Sequence, residues 1–168
     1  MQQPSKLYIV LSYILLPVAL FFGFLDSILF FSALANPSAM ILVFAMACIV
    51  IYSFTSFKFL KLGIEREQPQ TTKLKDWIKV NAYVSLFMFS LIFLNAVSIL
   101  ISNDATLKGF VDEFLQQQSG LPPEFNSQFV LKIMRTASYF LFVIGAVGIL
   151  HIRLTLKLVK EYDYLFEK

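Results

Sequence analysis

Few side chains in this sequence could do chemistry, and most of them lie inside apolar stretches. Asp26 is the clearest: an acidic residue within a long apolar run, where an ionisable group is costly and therefore informative. A carboxyl there can hold a proton or a cation, or it can lock helices together by pairing. Arg135, Lys132 and Asn95 are the candidate partners. His151 is the only histidine and Cys48 the only cysteine, which excludes an intramolecular disulfide, a thiolate zinc cluster and any site needing two imidazoles. His151 and Arg153 sit together near the end of the last apolar block, with Asp76 expected at the same interface. A lone histidine there serves as an interfacial anchor or as an adjustable proton carrier. Asn81, Ser85, Asn95, Ser98 and Ser102 fall on one face of a single helix by spacing. Such a seam makes interhelical hydrogen bonds or forms one wall of a narrow hydrated path.

Other signatures are missing from the sequence. There is no GxxxxGK[ST] phosphate loop, no GxSxG elbow and no HExxH zinc motif. No two carboxylates share a span at acid–base spacing. No cofactor and no metal site is expected.

The elements that must position these residues follow from composition. The 168 residues are 58% hydrophobic and 15% charged, with a mean hydropathy of +0.72. A soluble domain is nearer half apolar and a quarter charged. Nucleic-acid binding is not expected, because the net charge is only +3 and the basic residues cluster at the ends of apolar blocks. About 20 apolar residues span a bilayer as a helix. Four stretches qualify, over about residues 7–35, 39–57, 78–101 and 136–158. The fold expected is all-α: a polytopic membrane protein with four transmembrane helices in a bundle, forming a single domain. Asn36-Pro37-Ser38 turns the first block into the second, since proline lacks a donor and disfavours helix in the residue before it. Ala33-Leu34-Ala35 matches a signal-peptidase pattern, but the run is about twice a normal signal core and carries Asp26, so retention of the first helix is expected.

Eleven of the fourteen Lys and Arg residues flank the blocks on one side: Lys6, Lys58, Lys61, Arg66, Lys73, Lys75, Lys79, Arg153, Lys157, Lys160 and Lys168. The positive-inside rule then puts both termini and a basic loop over 58–77 in the cytoplasm, and the loop over 102–135 outside. Trp77, Tyr8 and Tyr52 suit the inner headgroup belt. The setting expected is a bacterial inner membrane, with the lipid bilayer as first partner. Counting from the turn at Pro37, Asp26 lies roughly 15 Å into its helix; counting from Lys6 it lies roughly 30 Å up. A tilt, or a kink at Pro17, reconciles the two counts.

In the outer loop, Leu107, Phe110, Val111, Phe114 and Leu115 follow i, i+3, i+4, i+7, i+8 spacing, with Lys108, Asp112, Glu113, Gln116 and Gln117 opposite. That predicts a short amphipathic helix capped near Asn103 or Asp104, stopping near Ser119-Gly120 ahead of Pro122-Pro123. Such a helix lies on the headgroup layer, caps the bundle, docks a partner or forms a lid over a cavity. Ala19, Gly23 and Ser27 form a small-xxx-small ridge in the first helix, and Ser138, Gly145 and Gly148 mark a second in the fourth. These ridges pack helices within the bundle or between protomers.

Three functional classes remain open. The leading one is a non-enzymatic structural or accessory protein acting through a membrane-protein partner or a homo-oligomer. The second is a small channel or transporter using Asp26. The third is a lipid-binding protein or membrane enzyme using His151 and Arg153 at the inner leaflet.

Overall fold

The computed structural model describes residues 4–118 and 126–167. The helix stop expected at Ser119-Gly120 and the Pro122-Pro123 link lie outside them. Among the described residues, four helices are long and apolar enough to cross a membrane. They are α1 (Lys6–Ala35), α2 (Met40–Lys58, continued through a π-helical turn over Phe59–Ile64), α3 (Thr72–Ile101) and α5 (Ser127–Glu161). A fifth helix, α4 (Asp104–Gln116), lies between α3 and α5 in sequence. The extended structure among the described residues is one two-residue parallel pair, β1 (Gln70–Thr71) with β2 (Phe166–Glu167).

The helix ends follow local chemistry. The Ser5 hydroxyl accepts from the Tyr8 amide and caps α1. At the other end Asn36 leaves the helical region, and its Oδ1 accepts from both the amide and the hydroxyl of Ser38. Pro37 then opens a 3-10 turn at a position that needs no donor. The Asn103 side chain accepts from the Thr106 amide and starts α4. Helices α3 and α5 outrun their apolar blocks, starting at Thr72 and Ser127, because lysines and aspartates are tolerated in a helix wherever hydropathy ends. The segment between α2 and α3 is therefore shorter than the loop expected over 58–77. Within it Glu67 takes the left-handed region at φ 51° and turns the chain.

The chain folds as two compact units. The first holds residues 4–89 and 147–167. Its core includes Tyr8, Leu15, Ile49, Tyr52, Phe59, Ile78, Phe89, Ile152 and Val159. The inward seam of α1 runs at alternating four- and three-residue steps through Tyr8, Ser12, Leu15, Ala19, Phe22, Asp26, Leu29 and Ala33. All of these are buried except Asp26 and Leu29, which are half-buried. Gly23 faces α2: a methyl there would sit 3.6 Å from Val50. Gly148 is tighter, since a Cβ there would run into the Phe89 ring. The C-terminal segment folds back on the α2–α3 connection. There Phe166 stacks on Phe59 with ring centroids 5.2 Å apart, and Lys75 pairs with Asp163 while lying over the Phe166 ring.

The second unit holds residues 90–118 and 126–146. Phe93 stacks on Phe142 at 4.8 Å, and a methyl on Gly145 would lie 2.8 Å from Phe93 Cβ. Leu107 and Val111 are the buried side of α4, and the Ser127 hydroxyl donates to Asp112.

Candidate functional site

Among the described residues, a dense polar cluster lies in the first unit, around His151. Helix α5 supplies His151 and, one turn on, Thr155. Helix α1 supplies Tyr8 and, one turn on, Ser12, while α2 supplies Tyr52. The i, i+4 spacing puts each pair on one helix face. The imidazole uses both nitrogens: Nε2 lies 2.9 Å from Ser12 Oγ and Nδ1 lies 2.8 Å from Tyr52 Oη. Tyr52 Oη is also 2.8 Å from Thr155 Oγ1. Tyr8 stacks on the imidazole at 5.0 Å with planes 12° apart, and its hydroxyl is 3.5 Å from Thr155 Oγ1. Tyr52 meets the same ring edge-on at 5.7 Å.

Two proton arrangements fit both ring nitrogens, and because each hydroxyl carries one proton, each leaves one of the remaining contacts unmade. In one, Ser12 donates to the Tyr8 carbonyl at 2.8 Å, Nε2–H donates to Ser12 and Tyr52 donates to Nδ1. In the other, Ser12 donates to Nε2, Nδ1–H donates to Tyr52, Tyr52 donates to Thr155, and Thr155 donates to the His151 carbonyl at 2.9 Å. The tautomer thus follows the orientation of the hydroxyls. Reversing the chain of bonds moves hydrogen bonds but transfers no proton outside it. All five residues are at most 3% exposed. With both ring nitrogens occupied and every member buried, the cluster clamps α1, α2 and α5 together, as a buried polar network does.

This placement departs from the sequence reading at three residues. His151 is not at an exposed interface beside Arg153; it is 1% exposed, whereas Arg153 and Asp76 are exposed. Tyr8 and Tyr52, assigned to the headgroup belt, are fully buried: the Tyr8 ring stacks on the imidazole, and the Tyr52 hydroxyl bonds His151 and Thr155. Trp77 is exposed.

The other sequence candidates are dispersed. Asp26 is half-buried, and its Oδ1 is inaccessible and without a hydrogen-bond partner among the described residues. Asn81 is buried and donates to the Trp77 carbonyl of its own helix. Ser85 is fully buried and its hydroxyl finds no partner among the described residues. Asn95 and Ser98 are exposed, and Asn95 donates back to Leu91. The third-helix polar residues therefore do not form one continuous wall. Cys48 is a buried free thiol. Among the small residues, Ala19, Ser138, Gly145 and Gly148 are buried, Gly23 is half-buried and Ser27 is exposed.

Arg135 is spent within the second unit. Its guanidinium donates to the carbonyls of Ile99 (2.5 Å), Leu100 (2.8 Å) and Ser102 (2.5 Å), and to Asp104 Oδ1 at 2.8 Å. These carbonyls end α3, where the last turn has no amides to meet it, so the cation serves as a C-terminal cap. The α4 stripe divides in two. Leu107 and Val111 are buried and Leu115 is half-buried, but Phe110 is 65% and Phe114 56% exposed. Among the described residues no group of three His, Cys, Asp or Glu side chains could hold a metal ion. No protein family, no curated protein and no solved structure matches this chain.

Proposed function

We propose that this chain is a multi-pass protein of a bacterial inner membrane. Its four spanning helices form a bundle with both termini in the cytoplasm, and it acts as a non-enzymatic accessory protein that binds another membrane protein. The observation that carries this reading is the pair of phenylalanines on α4. Leu107 and Val111 anchor the helix, which leaves Phe110 and Phe114 free to contact something else. Large apolar side chains presented together mark an interaction surface. The polar cluster around His151 supports the same reading, because its groups are consumed in holding helices together.

The test is the mass and composition of the complex purified in a mild detergent. A second polypeptide in fixed ratio is expected, and it should be lost from the Phe110→Asp/Phe114→Asp variant. A chain that purifies alone, or a complex indifferent to both substitutions, refutes the proposal.

A further inference from the structure

Asp26 stands on the inward seam of α1, in register with the buried positions Ala19, Phe22 and Ala33. A seam position is normally filled and apolar. Here it carries a carboxyl that is only half-buried, with Oδ1 closed off and unpartnered among the described residues. Of the two basic side chains that the sequence offered for it, Arg135 is committed to three carbonyls and Asp104, and Lys132 is exposed and makes no bond to it. A carboxyl left this way inside an apolar helix is satisfied by a cation brought to it. A metal ion needs further ligands, and no group of three His, Cys, Asp or Glu is present among the described residues. A single ammonium or guanidinium on a neighbouring helix needs only the one carboxylate.

The geometry points to Asp26 as the docking position for a partner membrane helix that carries one Lys or Arg within its apolar stretch. This rests on the accessory reading above and names the chemistry of the partner. The partner helix lies along the half-open stretch of α1 at Asp26 and Leu29. Exposed Ser27 sits beside the contact and lets a second backbone come close. Gly23 does not take part, because it faces Val50 of α2.

The experiment uses the full chain, labelled with a donor dye and reconstituted in phosphatidylcholine vesicles. The probe is a synthetic Leu/Ala transmembrane peptide with one central Lys, labelled with an acceptor, and the control peptide has Leu at that place. At neutral pH the Lys peptide should associate at least tenfold more tightly than the Leu peptide. Asp26→Asn should abolish the difference and Asp26→Glu should restore most of it, which separates pairing from a folding defect. Equal association of the two peptides overturns the proposal, as does a Lys preference that survives Asp26→Asn. Energy transfer between two copies of the chain that depends on Asp26 also overturns it, by making a second copy the occupant. Proton flux removed by Asp26→Asn overturns it in favour of a transport site. None of these readouts touches Phe110 or Phe114, so failure here is distinguishable from failure of the accessory reading.

Discussion

Tyr52→Phe and Tyr8→Phe each remove one oxygen from the same buried cluster and leave the ring in place, yet they should have very different costs. Tyr52 Oη lies 2.8 Å from both His151 Nδ1 and Thr155 Oγ1. Tyr8 Oη has only a 3.5 Å approach to Thr155. Without the Tyr52 hydroxyl, Thr155 keeps its 2.9 Å bond to the His151 carbonyl. His151 Nδ1 is left with Thr155 Oγ1 at 3.5 Å, too long to count as a replacement. Interhelical hydrogen bonds inside a membrane average about 0.6 kcal/mol each. Leaving a buried polar atom unmatched costs about 1–3 kcal/mol. Tyr52→Phe should therefore cost about 2 kcal/mol, which is roughly a 30-fold change in the unfolding equilibrium. Tyr8→Phe should cost under about 0.5 kcal/mol, because its stacking on the imidazole at 5.0 Å persists. The assay is reversible unfolding by sodium dodecyl sulfate in mixed micelles, followed by circular dichroism. Equal losses for the two variants, or a larger loss for Tyr8→Phe, would show that the cluster does not clamp the helices through these bonds.

Three further outcomes are expected from the same measurement or a simple variant of it. Gly148→Ala should cost more than about 2 kcal/mol, since its methyl would enter the buried Phe89 ring, whereas Gly109→Ala in α4 meets nothing within 4 Å and should stabilise by up to about 1 kcal/mol. Arg135→Gln should loosen the α3–α4 junction by about 2 kcal/mol, visible as faster amide exchange in α4. Asp104→Asn should change it by less than about 1 kcal/mol, because that carboxylate is 85% exposed. Phe166→Ala should cost about 3 kcal/mol and open the C-terminal segment to protease, because it removes a 6%-exposed ring stacked on Phe59.

What is legible in the sequence, and what is not, divides along one physical line. Hydropathy summed over twenty residues marks where a chain meets hydrocarbon, so the four long helices stand out as apolar blocks. It says nothing of where a helix ends, and α3 accordingly starts at Thr72, through Lys73, Lys75 and Asp76. The α4 stripe is conspicuous because its phenylalanines and leucines sit among charges; in α1, α2 and α3 apolar residues cover nearly every face, so periodicity carries little direction there. Asp26 is conspicuous by type. The cluster at His151 is not, because Tyr8, Ser12, Tyr52 and Thr155 are ordinary residues for a membrane helix and become a site only when three helices meet. One signal of it does exist: Tyr8 with Ser12 and His151 with Thr155 both repeat at i, i+4, and both pairs stand at the end of the blocks where Tyr52 also falls. Two hydroxyl-bearing pairs at matching depth, one near each end of the chain, mark a shared polar layer by spacing alone. At Asp26 the sequence offers two complementary charges, Arg135 and Lys132. The Arg135 guanidinium is spent on the carbonyls that end α3, and Lys132 is exposed and makes no bond to Asp26, which is why the partner of Asp26 is sought on another chain.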